Sequence, residues 1–305
     1  MKQTICPVCN TGMEKTQKDK ILVQCNSCDV TWTYIGNPVN LEELYQDEVY
    51  KVVDNRNSIF EKIIFWESEK IIEKTEMLSE SKQPLKILDF GSGKGHFLYK
   101  CQQKGWDCHG IETAKDRADF SREKYGVNVS DGFYEGGLVN GGNFDVIALL
   151  HVLEHLPDPK GLLKKLLQNL KTNGILIIEV PNIDSWQSRV AGENWMHLDL
   201  PKHLSHWNGE VLALQMEQLG LVKLCRQNFS FHLGVLGMTQ ALLSRLGFKK
   251  NIIKELKNNK RISLLLPIML LLPASVFLEL LSLVFGKGGI LRIYFKNINS
   301  QTPHI

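Results

Sequence analysis

The sequence has little net charge, no apolar leader and few cysteines, and each scarcity removes a class of function. Its 36 Lys and Arg nearly balance 33 Asp and Glu, leaving +3. Charges interspersed in this way make no demand for a polyanion, and no nucleic-acid partner is expected. The first residues, Met-Lys-Gln-Thr-Ile-Cys, contain no apolar h-region, so the globular part is expected in the cytoplasm with reduced thiols. Only seven cysteines occur in 305 residues. Three of them, Cys101, Cys108 and Cys225, fall inside helix or strand patterns and are given no function. With 43% hydrophobic residues, the chain can bury one full core and a small appended module.

The other four cysteines form Cys6-Pro-Val-Cys9 and Cys25-Asn-Ser-Cys28, two C-x2-C knuckles separated by fifteen residues. That is the spacing of a tetrahedral zinc ribbon. A ribbon over residues 1–40 is too small to fold on apolar burial, so ligation would supply most of its stability, on the order of 10 kcal/mol. With all four ligands drawn from the protein, the Zn2+ keeps no open position, and its expected role is structural.

After a helix-like stretch, taken with its flanks as a lid or linker over 41–83, comes Ile87-Leu-Asp-Phe-Gly-Ser-Gly-Lys-Gly-His-Phe97. An apolar strand ends in the acid Asp89 and runs into Gly91, Ser92, Gly93 and Gly95. A second strand ends at Glu112, about twenty residues on, where a ribose-binding acid is expected. His96 stands where nicotinamide folds need their third glycine, which argues against NAD. Two acids suit a cationic ligand better than a pyrophosphate. Strands and helices alternate onward to Val180, which predicts a parallel sheet covered on both faces, with ligands at the carboxyl ends of its strands.

From Leu85 to about Asn182 the chain resembles the class I S-adenosylmethionine-dependent methyltransferases. The likeness rests on the glycine motif, on His109-Gly-Ile-Glu112, on Phe144-Asp-Val-Ile-Ala-Leu-Leu-His-Val-Leu-Glu-His-Leu-Pro-Asp-Pro159 and on Lys171-Thr-Asn-Gly-Ile-Leu-Ile-Ile-Glu-Val-Pro-Asn182. It implies a Rossmann-like, doubly wound α/β fold of seven strands over 84–305. It also implies S-adenosyl-L-methionine as cofactor, with Asp89, Gly91, Ser92 and Gly93 around its methionine half and Glu112 on its ribose. Asp131, Gly132 and Phe133 would lie beside adenine, and Leu150 and His151 would complete the cofactor contacts. The region around His151-Val-Leu-Glu-His155 resembles the ubiquinone-type O-methyltransferases, which carry an acid at the position of His151 and with which a divalent ion has been associated. A second cation near His151, Glu154 and His155 is therefore an open alternative.

The acceptor side is expected in Trp195-Met-His-Leu-Asp-Leu-Pro-Lys-His-Leu-Ser-His-Trp207, dense in histidine. Methyl transfer needs positioning and a base for the acceptor proton, a task that suits histidine. His203 is the candidate base, with His197 and His206 behind it. Some sugar C-methyltransferases that carry a zinc-binding N-terminal module resemble this stretch. They pair the histidine with a Tyr and a Glu where this chain has Leu200 and Lys202, which favours O-methylation here.

Residues 262–285 form an apolar run whose only formal charge is Glu279. It is long enough to span a bilayer. Pro267 and Pro273 are expected to break it, and basic residues flank both ends, which favours both ends staying cytoplasmic. Segments near Val222 and Ile290 read as the sixth and seventh strands, so residues 231–289 are read as a helical insertion that dips into the inner face of a membrane. The module set resembles bacterial methyltransferases of surface-glycan assembly and implies a sugar hydroxyl on a lipid-linked glycan as acceptor. A quinone-type or small-molecule O-methyltransferase and a non-enzymatic zinc-ribbon scaffold are the alternatives. The sequence carries no signal for oligomeric state.

Overall fold

The computed structural model describes residues 4–12, 21–36, 58–82, 84–257 and 262–299. The expected lid segment over 41–57 therefore lies outside the described residues. The strands β1 (Leu22–Gln24) and β2 (Thr31–Thr33) form the ribbon, and α1 (Ile59–Leu78) follows, N-capped by the Ser58 hydroxyl. The alternating part runs β3 (Lys86–Phe90), α2 (His96–Gln103), β4 (Asp107–Glu112), α3 (Lys115–Tyr125), β5 (Asn128–Asp131), β6 (Phe144–Leu150), α4 (Pro159–Leu167) and β7 (Leu170–Pro181). After it come α5 (Trp186–Ala191), the short β8 (Ser205–His206), α6 (Gly209–Glu217), β9 (Leu221–Gln227), α7 (Phe231–Arg245), α8 (Ile252–Lys257), α9 (Leu265–Val284) and β10 (Ile290–Asn297).

Seven strands form one sheet in the order β5-β4-β3-β6-β7-β10-β9. The first five are mutually parallel, and β10 runs antiparallel to both β7 and β9. The expected fold is present, with the apolar insertion between the sixth and seventh strands. Alternation along each strand explains why both faces are covered: Leu88, Ile147 and Ile178 join one core, while Ile87, Val146 and Ile177 join the other.

One strand pairing has no precursor in the sequence pattern. β8 pairs with β2, through Thr31 with His206 and Trp32 with Ser205, so the ribbon and the histidine-rich loop share a three-stranded sheet. Val8, Val23 and Trp32 belong to the same buried cluster as Leu88 and Phe90 of the central sheet.

The expectation that Pro267 and Pro273 break the apolar run is corrected: α9 is one helix of 20 residues. Pro267 falls in the first turn, where an amide hydrogen would have no helical partner, and Pro273 removes one internal bond without ending the helix.

Candidate active site

The carboxyl ends of β3, β4, β5 and β6 form one rim. Gly91 and Gly93 hold φ of 78° and 55° in the turn after β3, a left-handed region that side chains resist. A Cβ on Gly91 would stand 2.4 Å from Cγ2 of Val152, whereas one on Gly93 would meet nothing within 4 Å. The first glycine is thus needed by the protein and the second leaves open space. Ser92 is buried, and its hydroxyl oxygen finds no hydrogen-bond partner among the described residues.

Two acids meet at this turn. The Glu112 carboxylate accepts hydrogen bonds from the Gly93 amide (2.8 Å) and the Ala114 amide (2.9 Å), and lies 3.2 Å from the Arg117 guanidinium. Asp89 is 3% exposed. Burial, and then the nearby charge of Glu112, push its carboxyl up to about 7. A site with two buried acids and an unpartnered hydroxyl suits a ligand bearing cationic groups and hydroxyls, so the residues present fit S-adenosylmethionine.

Asp131 and Gly132 sit at the end of β5. Asp131 pairs with Arg122 at 3.1 Å, the Gly132 amide donates to the Glu112 carbonyl, and Phe133 is 86% exposed beside them. The predicted residues around the turn therefore share one rim.

Leu150 ends β6, and His151 follows with φ of 57°. Its Nε2 lies 3.0 Å from Glu179 on β7, and its Nδ1 lies 3.4 Å from Glu154. Burial opposes the charged imidazole, yet contacts with both carboxylates raise His151 to about 10, making it an imidazolium. Arg292 of β10 grips Glu179 from the other side, with Nε at 2.5 Å. Against its own burial, Glu179 is held down to about 2 by Arg292 and His151. Neither Glu179 nor Arg292 was expected from the sequence. Their only signal is an acid and a base within otherwise apolar strands, which places a charge pair on a buried face.

His203 lies in the loop before β8, beside the short 3-10 turn Leu153–His155. Its Nδ1 is 2.9 Å from the His197 carbonyl. A carbonyl only accepts, so Nδ1 carries the hydrogen and Nε2 carries the lone pair. Burial holds His203 well below its ordinary value and keeps it neutral. The ring stands edge-on to His155, 4.5 Å between centroids, and one ligand atom each of Glu154, His155 and His203 lie within 4.8 Å of one another. The cluster that forms is thus Glu154, His155 and His203, with His151 turned to Glu179. His197 and His206 are used structurally: His197 reaches the Leu233 carbonyl of α7 (3.1 Å), and His206 reaches the Thr33 hydroxyl (2.9 Å). Thr33 donates that hydroxyl hydrogen to the His203 carbonyl at 2.5 Å. A single ribbon side chain thereby fixes the loop that carries the candidate base.

In the ribbon, Cys6 and Cys28 have their sulfurs 3.6 Å apart and Cys9 and Cys25 have theirs 3.4 Å apart, and all four lie within 4.8 Å of one another. Tetrahedral zinc with Zn–S bonds of about 2.3 Å would place sulfurs roughly 3.8 Å apart. The four cysteines fit such an ion.

A family model described as a methyltransferase domain matches residues 64–225, just over half of the 305 residues. The ubiquinone biosynthesis O-methyltransferase of Azorhizobium caulinodans is 28% identical over 149 residues, covering 46% of this chain and 59% of that relative. The protein of the same name from a Ruegeria species is 28% identical over 160 residues, covering 48% and 64%. The chain thus spans about three fifths of the length of these relatives. Phosphoethanolamine N-methyltransferase 2 of Haemonchus contortus, solved in complex with S-adenosyl-L-methionine, superposes with a TM-score of 0.53 at 14% identity, covering 88% of this chain and 62% of that one. At that identity the likeness shows a common fold. With the family match, the seven-stranded order and the glycine turn between two acids, the chain belongs to the class I S-adenosylmethionine-dependent methyltransferases.

Proposed function

We propose that this chain methylates a hydroxyl group on a lipid-soluble acceptor at a membrane surface, and that the acceptor is a quinone-type phenol. The likeness to ubiquinone biosynthesis O-methyltransferases favours this acceptor. The neutral, oriented His203 supports oxygen as the methylated atom. When bound, S-adenosylmethionine supplies an electrophilic methyl group on a cationic sulfonium. Asp89 and Glu112 would hold its cationic and ribose groups, while Asp131, Gly132 and Phe133 would border its base and Leu150 and His151 would close the rim. His203 would accept the acceptor's proton at Nε2, with the Glu154 carboxylate nearby to favour the imidazolium as it forms. Positioning supplies the rest, because the leaving group is already good.

In this reading residues 1–40 carry a structural zinc ribbon, α1 belongs to a lid or linker and 84–305 are the catalytic domain with its apolar insertion. A sugar hydroxyl on a lipid-linked glycan would use the same membrane location and the same base, but the likeness to ubiquinone biosynthesis O-methyltransferases does not favour it. A non-enzymatic scaffold would have no need for the intact glycine turn and both acids. The test is transfer of labelled methyl from S-adenosylmethionine to a polyprenylated catechol and to a polyprenyl-linked sugar, with wild type and His203→Ala. Label on the catechol that falls at least about 100-fold in the variant is expected. Label on the sugar alone would replace the acceptor, and full activity in the variant would remove the base.

A further inference from the structure

Helix α9 is amphipathic in the opposite sense to a helix packed on a water-soluble fold. Its buried residues are Ser275, Glu279 and Ser282, spaced four and three apart and therefore on one stripe. Its apolar residues face outward: Leu266, Met269, Leu270, Phe277, Leu280 and Val284 are 49% to 79% exposed.

The buried stripe packs on α7. At Gly234 of α7 an added Cβ would come within 2.7 Å of the Glu279 carboxylate. That carboxylate accepts from the Gly289 amide and the Gln187 side-chain amide, both at 2.8 Å. The acid is thus satisfied within the protein, and its charge does not burden the outer face. Small residues and satisfied polar groups inside, with leucines outside, are how helices pair where the surroundings are hydrocarbon.

Chain path limits how such a helix can meet a bilayer. β9 leads into the insertion and β10 leads out of it, and the two strands are paired, Arg292 opposite Gln227. Both ends of the insertion are therefore tied to one sheet edge. A helix held along α7 at that edge has no free path across a bilayer and can meet one only side-on. Immediately before α9, residues 245–261 contain seven Lys or Arg and one acid. Of these, Arg245, Lys249 and Lys250 are exposed.

We propose that the outer face of α9 beds into the acyl boundary of an anionic bilayer, with Arg245, Lys249 and Lys250 on lipid phosphates. This deepens the proposed function by bringing a bilayer-resident acceptor within reach, but it rests on α9 and not on the reaction. A second copy of the chain could also cover the apolar face, yet at +3 it would bring no net counter-charge to the basic segment.

The experiment is flotation of the full chain with vesicles of phosphatidylcholine alone and with one third phosphatidylglycerol, together with sedimentation velocity and titration with S-adenosylmethionine. Wild type is expected to float at least about tenfold better with the anionic vesicles. Leu270→Glu, at an exposed position, should abolish flotation while leaving the melting temperature and cofactor affinity unchanged. A wild type that binds cofactor yet stays off anionic vesicles overturns the proposal. So does a Leu270→Glu variant that still floats, or a dimer that the substitution splits in the absence of vesicle binding. Failure of the methylation reading would leave flotation intact.

Discussion

The two ends of the site are built differently. The cofactor end is made by backbone: one turn after β3, the ends of neighbouring parallel strands, and two acids 23 positions apart in the sequence. The proposed acceptor end is made by convergence: the turn at Leu153–His155, the loop before β8, the ribbon and α7 each contribute a contact. A backbone-built site tolerates remote change and depends on a few local residues. A convergent site depends on every element that braces it.

Removing the ribbon's integrity should separate the ends most widely. Cys25→Ser, or chelation of the proposed zinc, is expected to unfold the ribbon, release β8 from β2 and lower methyl transfer at least about 100-fold. Cofactor affinity by calorimetry should change less than about threefold. Equal loss of both would mean that the ends are one cooperative unit.

Glu112→Ala acts on the other end. It removes a charged acceptor that braces the Gly93 and Ala114 amides and should weaken S-adenosylmethionine about 10- to 100-fold. The melting temperature should move little.

Acid–base behaviour sharpens the same end. Burial, and then the charge of Glu112, push the Asp89 carboxyl up to about 7, against roughly 3.9 unfolded. Its burden on stability is absent below about pH 4, grows as pH rises toward 7 and is constant above. A cationic ligand prefers the ionised carboxylate, so cofactor affinity should strengthen from pH 6 to 8 and then level. Affinity that is flat over that range would remove Asp89 from the ammonium contact.

Thr33→Val is the finest probe. It deletes the hydroxyl that joins His203 and His206, at a stability cost of about 1–2 kcal/mol. We expect kcat to fall about tenfold with an unchanged cofactor Kd, and Thr33→Ser to restore it.

The glycine turn and the two acids beside it were legible because their determinants are local. A strand, an acid and glycines at fixed offsets sit within eleven residues, 87–97. The Cys6, Cys9, Cys25 and Cys28 cluster was legible for the same reason. The β2–β8 pairing was not, because Thr33 and His203 lie 170 residues apart, and a two-residue strand has no period to read. The Glu179 and Arg292 pair was hidden similarly, each charge looking like an isolated interruption of an apolar strand. Proline misled in α9, since its position within the first turn or the interior decides its effect, and the start of a helix without a side-chain cap is hard to fix.

Asp89, the glycine turn and Glu112 would together hold S-adenosylmethionine. Calorimetric titration at pH 8 of protein purified with zinc, repeated on Glu112→Ala and Gly93→Val, decides this. One site per chain with micromolar affinity is expected, weakened by the first substitution and abolished by the second. A folded wild type that binds no S-adenosylmethionine, or variants that bind as well as wild type, would overturn the assignment.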